Sequence, residues 1–203
     1  MPVMVPKGLA PPDRPLRQRA VERREQLLDA AADLLVERGV GGFTMEALAA
    51  RASVSKALPY KHFANAEEAL VALYRRELDD LAERIAAAVR AAKRGDPMVR
   101  AAVGAYFVAV SERGAVLARL AGAGSVIPDM VDGREAPRGI ADLLHAAYGL
   151  KGRRAVVLAA VVTAAVTAAS DAWGRGDASR TLCEQVAADA AIGAIHAVID
   201  RAG

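Results

Sequence analysis

The sequence predicts an all-helical protein, and three observations carry that prediction. The chain of 203 residues is 54% hydrophobic with only 4% aromatic residues, and Ala, Val and Leu supply most of the apolar content, a balance that favours helices over sheets. Apolar residues recur at three- and four-residue spacing along most of the chain. Glycine and proline, which interrupt helices, gather at the N-terminus and in a few short breaks. The length suits one or two domains and is enough to bury a sizeable core.

Residues 1–18 are rich in proline and without period, so they read as a flexible arm. The net charge of +3 is too small to imply nucleic acid, but its distribution is uneven. Lys7, Arg14, Arg17, Arg19, Arg23 and Arg24 face only Asp13 and Glu22 before residue 25, and the remainder is nearly balanced. A basic arm therefore precedes the first helix, expected from about Arg19 or Val21. Leu27, Leu28, Ala31, Leu34 and Leu35 form its inner stripe and Gly39 its C-terminal cap. Gly41 and Gly42 turn the chain into Phe43.

From Phe43 to Phe63 two short capped patterns abut with almost no connection, the sequence signature of a helix-turn-helix. Thr44 can cap a first helix with Met45, Leu48 and Ala49 inward. Ser55 can cap a second that carries Lys56, Tyr60, Lys61 and His62. That second helix is the candidate reader of DNA.

Asn65 followed by Glu68 has the spacing of a capping box, and Leu70, Leu73, Tyr74, Leu78, Leu81, Ile85 and Val89 continue a stripe to Lys93-Arg94-Gly95. This helix is long enough to join two domains. On it, Arg75-Arg76 and Asp79-Asp80 read as a solvated face. Asp96-Pro97 is a second strong start, Asp as cap and Pro at the first helical position, with Val99, Val103, Tyr106 and Val110 following and Gly114 the expected end. Between Val116 and Leu150 the breaks at Gly122, Gly124, Pro128, Gly133, Pro137 and Gly139 leave one readable helix, about residues 137–148.

Two long helices finish the chain, about residues 152–173 and 179–201, separated by Gly174-Arg175-Gly176-Asp177 and expected as an antiparallel pair. The apolar run from Ala155 to Ala169 is bounded by Arg153, Arg154 and Asp171. A membrane span needs about 20 such residues, so the run reads as a buried helix of a water-soluble protein. On the last helix Ala188, Ile192, Ile195 and Ile199 share a stripe with Leu182, Val186 and Gly193 beside it. That is more apolar surface than one small domain covers, and a four-helix homodimer seam would cover it. The expected division is an arm, residues 1–18; a helix-turn-helix domain, residues 19–65; and a helical domain for ligand binding and dimerisation, residues 66–203.

With these residues in view, the segment from about Arg23 to Leu73 resembles the N-terminal DNA-binding domain of the TetR (tetracycline-repressor-like) family. Its carriers are Arg24-Glu25-Gln26-Leu27-Leu28-Asp29-Ala30-Ala31, the Gly39-Val40 turn, Phe43-Thr44-Met45-Glu46-Ala47-Leu48-Ala49, Val54-Ser55-Lys56, Tyr60-Lys61-His62-Phe63 and Glu67-Glu68-Ala69-Leu70. The resemblance implies a three-helix head followed by a helical ligand-binding and dimerisation domain. It would place Lys56, Ala57, Leu58 and Lys61 at base edges in the major groove, Tyr60 and His62 on phosphates, and Thr44, Met45 and Glu46 at the start of the supporting helix, against the DNA backbone. Those roles fit the chemistry, since lysine meets guanine acceptors or phosphate and leucine can touch a thymine methyl. Arg17, Arg19, Arg23 and Arg24 could add phosphate or minor-groove contacts. Pro59 stands where the family usually has Leu or Ile, and Ala66 where many members have a phosphate-gripping Lys.

For a small molecule the candidates are Tyr106, Phe107, Met130, His145, Tyr148, Thr167, Ser170 and Trp173, polar and aromatic groups scattered among Ala and Val helices. Few charges surround them, so a mainly apolar effector is expected. The histidines stand apart from one another and Cys183 is the one cysteine, so no metal site, cofactor or intrachain disulfide is expected. No nucleophile elbow, phosphate loop or His-Glu-x-x-His motif supports catalysis. The start Met1-Pro2-Val3-Met4-Val5-Pro6 lacks a continuous apolar stretch, so no secretory signal is read and the cytoplasm is the expected location. The expectation is a homodimeric transcriptional regulator, a repressor released from palindromic double-stranded operator DNA by its effector. The alternative is a helical small-molecule binding protein whose DNA head is weakened by Pro59 and Ala66.

Overall fold

The structure, a computed structural model, describes residues 16–123 and 135–201. Most of the expected basic arm, with Lys7 and Arg14, and the candidate Met130 lie outside them. Among the described residues the chain forms α1 (Leu16–Arg38), α2 (Met45–Arg51), α3 (Ala57–Tyr60), α4 (Ala66–Ala91), α5 (Asp96–Ala123), α6 (Glu135–Tyr148), α7 (Gly152–Gly174) and α8 (Arg180–Asp200), and no strand.

Helix α1 starts at Leu16, earlier than the position read from the sequence, because Leu16-Arg17-Gln18-Arg19 are good helix formers with no break among them. It ends at Gly39, whose φ of 67° suits glycine and whose N–H donates to the Leu35 carbonyl at 2.9 Å. A short 3-10 turn, Val40–Gly42, leads to Phe43. Thr44 caps α2 as expected, its Oγ1 accepting from the Ala47 N–H at 3.1 Å. The helix closes with paired hydrogen bonds, Val54 N–H to the Ala49 carbonyl and Ser53 N–H to Ala50, around Ser53 at φ 54°. That is a Schellman ending, with serine where glycine is usual.

The second helix differs from expectation. α3 is one turn long, Lys56 rather than Ser55 occupies the cap position, and no side chain caps it. The Ser55 main-chain carbonyl accepts from Leu58 N–H at 2.9 Å instead. Pro59 fits because N–H groups in a first turn have no intrahelical acceptor. Its ring is buried, and its carbonyl accepts from the His62 and Phe63 N–H groups. Asn65 then caps α4, its side chain accepting from Glu68 N–H at 2.8 Å, while the Glu68 carboxylate accepts from Ala64 N–H.

Two cores organise the molecule. The first holds Leu27, Leu28, Leu34 and Leu35 of α1, Phe43, Met45, Leu48 and Phe63, together with Ala69, Leu70 and Leu73 of α4 and Val116 and Leu120 of α5. The second packs Val99, Val103 and Phe107 of α5 against Leu144, Leu158, Val162, Cys183, Ala187, Ala191 and Ile195. Helix α5 therefore serves both cores, and it does so by running through Gly114, the expected stop. Burial of Val116 and Leu120 outweighs the helix penalty of a glycine, about 1 kcal/mol.

Asp96 begins α5, but its carboxylate serves tertiary structure. Oδ1 accepts from the Tyr148 hydroxyl at 2.6 Å and lies 2.8 Å from His196 Nε2, joining α5, α6 and α8. Helices α7 and α8 pack side by side. Each is long and apolar enough to cross a membrane by length and composition, so the 15-residue apolar run understated α7, which reaches 23 residues. Their packed faces belong to the second core, and Val157, Val161, Leu182 and Val186 on the other side are exposed by 50–64%.

Candidate nucleic-acid interface

The helix-turn-helix is held by contacts that leave one face free. Met45 and Leu48 on α2, Pro59 on α3 and Phe63 after it are buried, which fixes α3 against α2. Arg51, at the far end of α2, forks onto α1 with Nη2 at 3.0 Å from Asp33 and Nη1 at 3.1 Å from Glu37. The Asp33 hydrogen bond, above all, raises the Arg51 pKa above its ordinary value. These are solvated ion pairs, and their worth is mainly geometric.

Toward solvent the same unit presents Thr44, Glu46, Ser55, Lys56, Ala57, Tyr60 and Lys61, all exposed, with Leu58 and His62 half-buried. Met45 departs from its expected place in that group, since it lies in the core at 4% exposure, one position into a helix whose apolar stripe needs it. Tyr60 Oη lies 3.4 Å from Glu46 Oε1, a long contact that lets the phenol turn outward. Behind them the Arg24 guanidinium sits 5.1 Å from the centre of the Phe63 ring, a cation–π contact that brings α1 charge to the same face. Periodicity could not show this contact, because it joins residues nearly forty positions apart.

The field on this face is positive. Burial, then the cations of Arg24, Arg23 and Lys61, push the His62 imidazole below its ordinary pKa of 6.5. At neutral pH His62 is therefore an uncharged N–H donor, and Lys56, Lys61, Arg23 and Arg24 supply the charge. Such a surface can hold phosphate oxygens by charge and N–H donation while Ala57 and Leu58 present small apolar contacts.

The candidates for a small molecule do not form one lining. Tyr106, Phe107, Ser170 and Trp173 come together: the Tyr106 and Phe107 rings meet edge-on at 5.7 Å, Phe107 and Trp173 lie 6.1 Å apart, and Tyr106 shares a hydrogen bond with Ser170. Burial pushes the Tyr106 hydroxyl above its ordinary pKa. Tyr148 is elsewhere, on Asp96 and edge-on to His196, and His145 and Thr167 are exposed. Among the described residues a groove of about 500 Å³ opens between α7 and α8, floored by Val157, Leu158, Val161, Ala194 and Val198 and rimmed by arginines. It contains none of those candidates.

One charged group escaped the sequence reading. Glu77 is buried on α4, and Arg76, read there as solvated, is only 21% exposed because it pairs with Glu77 and reaches Asp29 on α1. The signal was present, since position 77 falls in phase with Leu70, Leu73 and Leu81.

A sequence profile described as "Bacterial regulatory proteins, tetR family" matches residues 27–73. The HTH-type transcriptional activator FasR of Mycolicibacterium smegmatis is 40% identical over 86 residues, which are 42% of this chain and 39% of that protein, so this chain spans about two-fifths of its relative. Among solved structures, a candidate transcriptional regulator of Pseudomonas aeruginosa PAO1 superposes with a TM-score of 0.76 at 18% identity, over 93% of this chain and 96% of that one. The transcriptional regulator FadR of Bacillus subtilis, solved in complex with stearoyl-CoA, gives a TM-score of 0.68 at 14% identity, over 84% and 98%. At these identities the structural likenesses establish a shared all-helical fold.

Proposed function

We propose, from the match of residues 27–73 to the tetR family of bacterial regulatory proteins, that the chain is a homodimeric repressor that releases palindromic operator DNA when a small, mainly apolar effector binds. The observation that carries this reading is the cationic, solvent-facing surface of Lys56, Ala57, Tyr60 and Lys61, held rigid by buried Met45, Pro59 and Phe63. Two such surfaces in a dimer would enter successive major grooves about 34–36 Å apart. The reading needs no catalysis, and it places the protein in the cytoplasm with DNA.

For dimerisation the support is the exposed apolar face of α7 and α8, with Val157, Val161, Leu182 and Val186, into which the apolar groove runs. A second copy of the same face would cover it. Leu182→Glu is expected to give monomers in sedimentation velocity. For the effector, the support is the Tyr106–Phe107–Trp173 cluster with Ser170, apolar with one hydrogen-bonding pair. An effector there would press on α5, which also packs in the DNA-binding head, and DNA and effector would oppose each other by reciprocal coupling.

Selection of duplexes from a random library, followed by mobility shift, tests the reading. The parent is expected to enrich a palindrome, and the double variant Tyr60→Phe, Lys61→Ala to lose it. Failure of the parent to enrich any duplex at low salt overturns regulation and favours the binding-protein alternative, in which Pro59 and Ala66 weaken the DNA head. A reporter fused to the enriched site then separates repression from activation, the activity for which FasR is named.

A further inference from the structure

Helix α5 serves both cores and α4, which belongs to the first, packs along it, so the pair needs a device to keep it in register where one core gives way to the other. Glu77 sits at that point. It lies one turn past Leu73, a head-core residue of α4, and faces Arg113, which lies just before Val116, the residue at which α5 enters the head core. The residue is 4% exposed. Arg113 grips both oxygens, Nε donating to Oε2 at 2.8 Å and Nη2 to Oε1. Arg76 Nη2 donates to Oε1 at 3.0 Å, and its Nη1 reaches Asp29 Oδ1 on α1 at 2.8 Å, with Glu25 at 3.6 Å. The chain of contacts runs from α1 through α4 to α5 without a gap. Burial alone would raise the Glu77 pKa, but the hydrogen bonds from Arg113 and Arg76 outweigh it and hold the group below its ordinary 4.5.

We propose that Arg76, Glu77 and Arg113 form a charged clasp that transmits displacement of α5 to α1 and the helix-turn-helix. An apolar contact at this point would let α5 slide with little directional penalty, because burial depends on area and not on angle. A bidentate guanidinium–carboxylate pair fixes direction as well as distance, and separating it would strand a buried charge. Movement of α5 therefore drags Glu77, and Arg76 passes the movement to Asp29. The clasp rests on the regulatory reading for its use in switching, while its mechanical effect can be measured without DNA.

The test is hydrogen exchange on the full chain in a mutant cycle. Val103→Ala loosens α5 inside the second core, where Val103 is 4% exposed. The readout is head amides in residues 27–35 and 45–50 that exchange faster than those of α8, and so by local opening. In the parent background Val103→Ala is expected to speed them about fivefold. In the Arg76→Gln background, which leaves Glu77 paired with Arg113, it is expected to speed them clearly less, since only the direct packing of Val116 and Leu120 in the head core is left to carry the change; Glu77→Gln should behave alike if it folds. An equal response in both backgrounds, or none in either, overturns the clasp. With the enriched duplex bound, amides of residues 98–107 should slow in the parent and not in Arg76→Gln, and equal slowing also overturns it. A parent that enriches no duplex defeats the regulatory reading, and the DNA-free cycle still decides the clasp.

Discussion

Leu120 is the sharpest place to ask whether α5 is part of the DNA-binding head. It lies on a helix that begins in the other core, yet it is 1% exposed among Leu27, Leu35 and Phe63. Leu120→Ala trims an isobutyl group to a methyl, a loss of three carbons at about 0.8 kcal/mol each, or roughly 2.4 kcal/mol. The cavity left behind adds to this, and buried Leu→Ala changes span about 2–5 kcal/mol. Taking about 3 kcal/mol, a chain of this size should lose roughly 6–12 °C in Tm. The companion variant is Val108→Ala on the same helix, 39% exposed, which should cost below about 1 kcal/mol. Urea unfolding followed by circular dichroism, with hydrogen exchange at residues 27–35, reads both the size and the place of the loss. The reasoning fails if the two variants cost the same, or if the head amides keep their protection in Leu120→Ala.

Three further outcomes follow from local geometry. A Cβ on Gly42 would lie 2.7 Å from the Arg38 Cβ, whereas one on Gly41 meets nothing within 4 Å; Gly42→Ala should therefore cost about 1–3 kcal/mol in urea unfolding and Gly41→Ala almost nothing. Lys61→Ala and Lys56→Ala should each reduce the slope of log affinity against log salt by about 0.9 on the enriched duplex, and an unchanged slope removes that residue from the phosphate contacts. The hydrogen bond to Asp96 raises the His196 pKa above 6.5, so the charged contact is fully present below the ordinary value and is lost as pH rises through the raised one. An NMR titration of His196 should show that late midpoint, with Asp96→Asn returning it toward 6.5; equal midpoints in the two proteins exclude the contact.

Much of this molecule could be read because its signals are local. Thr44 and Asn65 cap the helices that follow them, since capping depends on a side chain and a backbone donor three residues apart. Gly39 ends α1 because the turn there needs a positive φ. The family resemblance of the segment from about Arg23 to Leu73 rests on the same short-range pattern. What could not be read depends on partners distant in the chain. Gly114 looked like a stop, and only the packing of Val116 and Leu120 against α1 shows why the helix continues. Asp96 looked like a cap, and its carboxylate was taken by Tyr148 and His196, 52 and 100 positions away. Ser55 looked like a cap, and the backbone placed Lys56 there.

The sequence by itself determined the helical class, the order of the helices and the cationic face of the helix-turn-helix, because period, caps and charge are properties of neighbours along a chain. The tertiary structure decided that α5 belongs to both cores, that Met45 is inside, that Tyr106, Phe107, Ser170 and Trp173 meet while Tyr148 does not join them, and that Glu77 is buried between two arginines. Those outcomes turn on which helix faces which. A stripe shows that a side chain seeks cover, and only the packed partner decides whether that cover is a core leucine, an aromatic ring or a guanidinium.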